Sequence, residues 1–333
     1  MVFWEITMSL FVSLASYNDP LLRFTLEQAY TKAAWPDELH FGIVDQSPPG
    51  SPYPVPSCIP ASQVSYVGID AAQARGCCWA RSIAMSLMGD QDWFLQTDSH
   101  MMFEQDWDAI LIDKANICME DTPDCVLSAY PAGFTFVDGV ATPTVSSARL
   151  VGHVVEHGAQ FVGTDPVLTF KPKELFGLGA VDGFHVSGGC IFSSADYVYR
   201  FPSDPFLYFS EEEASIAIRL YTHGWTIFHV YGMPMYHLYN TGSATQDRPR
   251  VWNDQSENSE QPLWWSLVRR ARERMNLLMS SDSSELGVYG LGSKRSLEDY
   301  ARETGIDYLA RKLHPKAYTG NWPPSAPRPL TTS

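Results

Sequence analysis

Short apolar runs alternate with segments of helical apolar spacing along the first half of this 333-residue chain. Such alternation is typical of a mostly parallel sheet flanked by helices, because each parallel crossover needs a long connection. We therefore predict an α/β fold. The predicted strands are residues 9–14, 41–44, 93–97, 126–129 and 225–230. The predicted helices are residues 20–34, 71–88, 106–117, 209–221 and 264–278.

Two stretches of the first half lack either pattern. Residues 45–60, DQSPPGSPYPVPSCIP, are rich in proline and serine and predict an irregular excursion. The stretch that leads to about residue 180 contains many glycine and proline residues, and no element is assigned there. We divide the chain into a catalytic domain (1–250), a helical extension packed on it (251–322) and a disordered tail (323–333).

The charge balance argues against a nucleic-acid partner. Lysine and arginine number 23 against 38 acidic residues, a formal net charge of −15. Phosphate contacts need clustered cations, and the one basic cluster, at 269–274, predicts one face of a helix instead. No apolar stretch approaches the roughly 20 residues that cross a bilayer, so we expect no membrane partner.

The apolar N-terminus, MVFWEITMSLFVSLASYNDP, fits either a signal peptide or a buried first strand. A positive leading region and a small-residue cleavage pattern are missing, and Glu5 interrupts the apolar run. We favour the strand, and with it a cytoplasmic location. The six cysteines lack zinc or CxxC spacing, so we expect reduced, mostly buried thiols.

The sharpest local feature is WFLQTDSHMMF at 93–103, an apolar strand that ends in Asp98-Ser99-His100. Residues two apart in extended backbone point to the same side, so Asp98 and His100 can face one ion. Ligands of α/β sheets bind at the carboxyl ends of strands. A carboxylate and an imidazole suit Mn²⁺, or else Mg²⁺, with positions open for phosphate oxygens. Taken alone, a surface histidine beside a turn aspartate explains the triplet at least as well.

The order of several segments adds to this triplet. They are FVSLASYNDP, CCWARSIAMSL, DWFLQTDSHMMFEQDWD, FSEEEASIAIRLYTHGW, YHLYN and GLGSKRSLEDYARETGID, from residue 11 to about 307. On these segments the chain resembles the protein α-N-acetylglucosaminyltransferases that modify hydroxyproline in a ubiquitin-ligase adaptor or threonine in mucin-like proteins. It is more distantly similar to the polypeptide N-acetylgalactosaminyltransferases. In this resemblance DSH is the DxD-like motif of a GT-A fold, a Rossmann-like sheet flanked by helices.

The resemblance implies a metal-dependent, retaining transferase. N-acetylglucosamine would move from UDP-GlcNAc to a hydroxyl of an acceptor, most plausibly a protein hydroxyproline or threonine. Asp98 and His100 would ligate the ion, and His237 of YHLYN would supply the third ligand. His223 and His229 are competing ligand candidates, and a backbone-bonded buried histidine is the alternative for His237.

The resemblance also implies where the donor binds. Uridine would lie at the end of the first strand, beside Ser13, Ala15 and Tyr17. The alternative is that ASYNDP is a strand-ending turn in which Asp19 precedes a helix.

Two arginines of the helix before DSH are donor candidates. Arg81 would reach the nucleotide or a phosphate, because its planar group carries five donors, or else it lies on a solvated helix face. Arg75 is a weaker candidate, and Cys77 stands where we expect proline in the family.

The transferred sugar has its own candidates. Gly188 and Gly189 would let the backbone approach the sugar, although glycine pairs also mark ordinary turns. Glu212 and Glu213 would bind sugar hydroxyls or orient the attacking hydroxyl, although acidic residues are also favourable where a helix begins. HVVEH at 153–157 lacks the glutamate position of a zinc helix, so we expect a surface helix or strand.

Two other functions stay open. The same fold could glycosylate a hydroxymethylated base of viral DNA or a glycan. A non-catalytic adaptor that binds nucleotide sugars is also possible, but a scaffold has no need of Asp98, His100 and His237 together. No residue is convincing as a covalent nucleophile, so a same-face displacement is favoured over a two-step route.

Overall fold

The computed structural model describes residues 8–239, 248–250, 264–280 and 282–322. The predicted disordered tail and the first part of the predicted extension, 251–263, lie outside these ranges. Within the described ranges, no helix combines the length and the apolar character that crossing a membrane would need.

Strands and helices are numbered in chain order. The strands are β1 (Leu10–Tyr17), β2 (Leu39–Ser47), β3 (Val64–Asp70), β4 (Trp93–Thr97), β5 (Met101–Phe103), β6 (Cys125–Leu127), β7 (Ala132–Val137), β8 (Val140–Pro143), β9 (Leu150–Val155), β10 (Phe170–Leu175), β11 (Ala180–Gly183), β12 (Cys190–Ser194), β13 (Thr226–Val230), β14 (Met235–His237), β15 (Ile306–Asp307) and β16 (Lys312–Leu313). The helices are α1 (Leu22–Thr31), α2 (Cys77–Ser86), α3 (Trp107–Asp121), α4 (Asp196–Arg200), α5 (Glu212–Thr222), α6 (Trp264–Leu278), α7 (Leu297–Thr304) and α8 (Pro315–Thr319).

An eight-stranded sheet in the order β11-β13-β6-β12-β4-β1-β2-β3 forms the centre. The strands β4, β1, β2 and β3 are parallel neighbours, as are β13 and β6. β12 runs antiparallel to both β4 and β6, and β11 runs antiparallel to β13. The predicted α/β fold is confirmed.

Both faces of this sheet are buried, which explains why β1 is apolar almost throughout. Leu10, Val12 and Leu14 join one core cluster with residues of α1 and α3. Phe11 points to the other face and packs in a second cluster with Phe94 and residues of α5. The side-chain period of two therefore divides one strand between two cores.

A smaller sheet in the order β5-β14-β7-β8 brings the later part of the chain to the DSH segment. β5 begins directly after His100, and β14 pairs antiparallel with it so that His237 lies opposite Met101. β14 also pairs parallel with β7. This pairing places His237 beside the end of β4.

The C-terminal helices pack on the central sheet's helices. Met275 of α6 and Tyr300 of α7 share a buried cluster with Ile218 of α5. Arg272 and Arg274 of α6 form ion pairs with Glu211 and Asp204, both at 2.6 Å.

Two predictions about local structure were wrong, and a stretch without any prediction contains strands. The helix predicted for 71–88 starts at Cys77, after β3 and a short 3-10 turn. The unassigned stretch before residue 180 contains β7 to β10. HVVEH is not on the surface at its first histidine: His153 lies in β9 and is buried, because β9 packs between its hairpin partner β10 and the sheet.

Candidate active site

A cavity of about 380 Å³ lies at the carboxyl ends of β1, β2 and β4. Parallel strands of α/β proteins direct ligands to this edge. The lining residues are Ala15, Ser16, Tyr17, Asp19, Gln46, Gly76, Cys77, Asp98, Ser99, His100, Phe209, His237, Arg248, Pro249 and Arg250. The volume is that of a small-molecule site.

One side of the cavity carries a group of potential metal ligands. Ligand atoms of Asp98, His100 and His237 all lie within 4.8 Å of one another. The Nε2 atoms of His100 and His237 are 3.0 Å apart, and Nε2 of His237 is 3.3 Å from Oδ2 of Asp98. Asp98 and His100 reach this point from the turn between β4 and β5. The structure thus brings together the three residues that the resemblance implied.

These atoms fit a divalent cation. At most one proton can lie between the Nε2 atoms of His100 and His237. With the Asp98 carboxylate oxygen beside them, these atoms therefore direct lone pairs toward one another, and a cation between them would accept those lone pairs. Nδ1 of His237 is buried and has no hydrogen-bond partner in the described part of the chain. Two imidazoles and one carboxylate with open positions are a known donor set for first-row divalent metals, Mn²⁺ among them.

The competing histidines lie elsewhere. His229 is fully buried in β13, where its Nδ1 donates to the Ser128 carbonyl at 2.7 Å. His223 is exposed and follows α5 directly. Among the residues that the structure describes, neither belongs to the metal-ligand group.

Arg81 links the Asp98 carboxylate to the acidic start of α5. Its side chain is 4% exposed, with Nη2 at 2.5 Å from Oδ1 of Asp98 and Nη1 bonded to Oε2 of Glu212. Burial would raise the pKa of Asp98, but the hydrogen bond from His237 and the charge of Arg81 hold it well below its ordinary value. The alternative of a solvated helix face for Arg81 is therefore wrong, and Asp98 stays ionised.

The two glutamates at the start of α5 differ in access. Glu212 is buried, bonded to Arg81 and, through Oε1, to Nε2 of Gln96 at 3.3 Å. The side chain of Glu213 is 32% exposed, and its Oε1 accepts from the Gly188 amide at 2.8 Å. Glu213 is thus the one of the pair that a substrate hydroxyl can reach.

The glycine pair before β12 is required by the protein's own side chains. A Cβ on Gly189 would overlap the Asp98 carboxylate. A Cβ on Gly188 would lie 2.6 Å from Nη1 of Arg81 and 2.9 Å from Oε2 of Glu212. A contact with the sugar stays a prediction, but the glycines are needed without it.

Only some of the predicted donor-binding residues line the cavity. Ala15 and Tyr17 line the cavity, whereas Ser13 is 1% exposed in β1 and its hydroxyl has no hydrogen-bond partner among the described residues. Arg75 is exposed, with its guanidinium 5.6 Å from the centroid of the Trp79 ring.

Gln46, Arg248 and Arg250 are among the cavity residues that sequence reasoning missed. Gln46 is 3% exposed; its Nε2 donates to the Ser16 carbonyl at 3.1 Å, and its Oε1 has no partner in the described ranges. The predicted second strand ended at residue 44, so Gln46 was not placed at the sheet edge. Arg248 and Arg250 also line the cavity, and the sequence DRPR after YHLYN is their one local signal.

An α/β sheet with a D-x-H turn at this edge is the arrangement expected of a GT-A fold, and one solved glycosyltransferase structure is similar in fold. The structure of GalNAc-T7 with UDP, GalNAc and Mn²⁺ matches with a TM-score of 0.56 at 14% identity, over 89% of this chain and 57% of that chain. S. aureus TarS 1-349 matches at 16% identity (TM-score 0.40, 69% of this chain and 60% of that one), and its UDP-GlcNAc complex at 13% (0.39, 85% and 78%).

The family model described as Glycosyltransferase (GlcNAc) matches residues 52–310. The chain therefore belongs to this family of GlcNAc glycosyltransferases. No curated protein sequence matches the chain significantly. The GT-A fold and the glycosyltransferase class that the resemblance implied are confirmed, and the chain spans little more than half of the GalNAc-T7 chain.

Proposed function

We propose that this protein transfers N-acetylglucosamine from UDP-GlcNAc, with retention at the anomeric carbon, to a hydroxyl of a protein hydroxyproline or threonine. The convergence of Asp98, His100 and His237 at the cavity rim carries this proposal. The family description supports the sugar, and the GalNAc-T7 structure of the same fold holds UDP and Mn²⁺.

Asp98, His100 and His237 would hold the divalent ion, either Mn²⁺ or Mg²⁺. When bound, such an ion supplies Lewis-acid neutralisation of the charge on the departing diphosphate. Arg248 and Arg250 line the same cavity and add positive charge for phosphate oxygens.

The remaining cavity side chains suit a nucleoside. Tyr17 offers a ring edge or face to the base, and Gln46 offers a buried carboxamide oxygen that can accept one hydrogen bond. Gln46 is held from behind by Ser16, so this oxygen keeps a fixed direction. A donor whose nucleoside bound to these residues would direct its sugar toward Glu213.

The site favours displacement on one face of the sugar. The bond from the anomeric carbon to the UDP oxygen breaks, the bond to the acceptor oxygen forms, and the acceptor proton passes to the leaving phosphate. Glu212 is bonded to Arg81 and Gln96 within a buried pocket, which argues against its use as a nucleophile. Glu213 orients the sugar or acceptor hydroxyl.

Hydrolysis of UDP-sugars in the presence of Mn²⁺ tests the proposal. We expect release of UDP from UDP-GlcNAc to exceed that from UDP-GalNAc, UDP-glucose and UDP-galactose. Asp98→Ala and His237→Ala should each abolish it, whereas His223→Ala, which changes an exposed histidine, should leave it unchanged. A hydroxyproline peptide and a threonine peptide then test the acceptor.

Two results would overturn the proposal. Binding of UDP-GlcNAc without any turnover would favour a nucleotide-sugar-binding adaptor. Turnover of the donor with transfer to a glycan or to hydroxymethylated DNA, and not to either peptide, would reject the protein acceptor. A cytoplasmic location stays a prediction from the sequence.

A further inference from the structure

We propose that Asp19 is a positioning residue of the metal site: it holds His100 in the tautomer and ring orientation that present Nε2 to the ion. The inference rests on the proposed metal-dependent function. It concerns a residue 81 positions from His100 that is not one of the three grouped potential ligands and that contacts His100 at the opposite ring nitrogen, Nδ1.

The end of β1 is shaped to bring Asp19 to this place. Asn18 adopts a left-handed conformation with φ of 44°, which asparagine tolerates better than most residues. The chain thereby turns, and Oδ1 of Asp19 accepts from the Leu21 amide at 2.9 Å. The Asp19 side chain is 5% exposed, and this turn leaves its second oxygen for the DSH segment.

That second oxygen receives two donors from the metal turn. Oδ2 of Asp19 lies 2.7 Å from Nδ1 of His100 and 2.7 Å from Oγ of Ser99. A carboxylate accepts hydrogen bonds and does not donate them, so His100 carries its proton on Nδ1. Its Nε2 then bears a lone pair, and this atom is the one that faces Asp98 and His237.

The segment after Asp19 fixes the backbone of the same turn. The Thr25 hydroxyl of α1 donates to the Ser99 carbonyl at 2.8 Å and accepts from the Met101 amide at 2.8 Å. Residues 99 and 101 are thus anchored to α1 on either side of His100. Side chain and backbone of the ligand are both held by one stretch of chain, 19–25.

His237 has no comparable support. Its Nδ1 has no hydrogen-bond partner among the described residues, and its ring packs 4.2 Å from the Tyr239 ring. The two imidazoles therefore differ at Nδ1, the ring nitrogen turned away from the ligand group: a carboxylate holds that atom of His100, whereas no described residue bonds that atom of His237. Loss of the Asp19 carboxylate should act on the metal through His100.

The test is the affinity of the full chain for Mn²⁺, measured by electron paramagnetic resonance of the free ion without any donor sugar. We expect Asp19→Asn to weaken Mn²⁺ binding roughly 10- to 100-fold, the range for partners that orient metal ligands. Asp70→Asn is the matched control, since Oδ1 of Asp70 accepts from the amide two residues on, at 2.9 Å, but touches no ligand. It should leave Mn²⁺ affinity unchanged.

A second pair of variants separates a positioning role from a structural one. In a His100→Ala background, Asp19→Asn should weaken Mn²⁺ binding no further, because the residue through which it acts is gone. An equal loss in both backgrounds, or no loss in the wild-type background, would overturn the inference. His237→Ala separates this from the proposed function: if that variant keeps full affinity for Mn²⁺, the metal site itself fails.

Discussion

A single buried arginine connects the two acidic parts of the site. Arg81 bonds Asp98 with one terminal nitrogen and Glu212 with the other, so neither carboxylate is an unpaired buried charge. The planar guanidinium suits this double role, which lysine cannot reproduce with one ammonium group. The electrostatics of Asp98 and of the acidic start of α5 therefore depend on the same residue.

Arg81→Met should lower the free energy of unfolding by about 3–5 kcal/mol, because the buried carboxylate of Glu212 loses its charged partner and the partly exposed Asp98 loses one of its two partners. Urea unfolding measured at pH 7 checks this. Arg302→Met is the control: its ion pair with Asp299 joins side chains that are 67% and 35% exposed, and such surface pairs contribute little to stability. Equal effects of the two substitutions would contradict the account of Arg81.

Three histidines gather behind Glu213. The ring of His153 lies 4.3 Å from that of His229 and 5.7 Å from that of His185, and Nε2 of His185 is 3.3 Å from Glu213. Burial lowers the pKa of His229 from 6.5 to about 4, and burial with the neighbouring imidazoles lowers that of His153 still more clearly. Both rings are neutral in the folded protein at neutral pH.

This cluster predicts a loss of stability in mild acid. Between pH 6.5 and about 4 the unfolded chain binds a proton at His229 that the folded protein excludes. The free energy of unfolding therefore decreases as the pH is lowered through this range. From pH 7 to pH 5 the loss from His229 is about 2 kcal/mol. His229→Asn, which keeps a donor for the Ser128 carbonyl, should remove that part of the slope in urea unfolding.

The matched control for this prediction is His157→Asn. His157 is exposed and lies four residues beyond His153 in the HVVEH segment. Its substitution should leave the pH slope as in the wild type. A slope that is the same in all three proteins would show that His229 is not the responsible group.

At the level of elements, the entry into β12 determines the shape of the site. Gly189 has no positive φ, so its role is one of space alone: a Cβ would meet the Asp98 carboxylate. Gly189→Ala should therefore displace Asp98 and reduce UDP-GlcNAc hydrolysis roughly tenfold or more. Gly89→Ala is the control, since its Cβ would make ordinary contacts at 3.5 Å or beyond. Full activity of Gly189→Ala would reject this role.

The helix α6 joins the C-terminal segment to the cavity side of the central sheet. Ala271 packs in a cluster with Leu207 and Tyr208, against which Tyr17 also rests. Met275, one turn later, is fully buried in the cluster that includes α5 and α7. The same helix thus supports a cavity residue and closes a core.

Met275→Ala should cost about 2–5 kcal/mol of unfolding free energy, the range for such core truncations. Because the cluster is shared with α5, fluorescence and far-ultraviolet circular dichroism should report one common transition, moved to lower urea. Glu273→Ala, at an exposed position of the same helix, should change little. Two separate transitions would show that the C-terminal helices unfold by themselves.

The elements that the sequence predicted best are those with strong periodicity. β4 and α6 agree with their predicted ranges residue for residue, and β4 lies between two aspartates, Asp92 and Asp98. β3 was missed because it is a half-exposed edge strand that follows a proline-rich excursion. β7 to β10 are strands of four to six residues among glycines and prolines, too short to show a clear alternation of apolar and polar residues. They pair as β7 with β8 and β9 with β10, and only the pairing of β7 with β14 joins distant parts of the chain.

For the whole molecule, some residues of the site could be predicted from the sequence and others could not. Spacing in one strand indicated Asp98 and His100, and resemblance added His237. Asp19 was considered a helix-start residue because local sequence gives no sign that it meets a histidine 81 positions later. Gln96 was likewise inside an apolar run, and its contact with Glu212 arises where β4 passes α5. Such contacts follow from the assembled fold and not from local pattern.

The order of strands in the small sheet also bears on how the protein is made. β14 lies between β5 and β7, although both precede it in the chain. During synthesis those two strands leave the ribosome first, and neither can pair with β14 until residues 235–237 follow. His237, the last of the three proposed metal ligands along the chain, is the final residue of β14. The proposed metal site can therefore form only after β14 has been synthesised, well after Asp98 and His100.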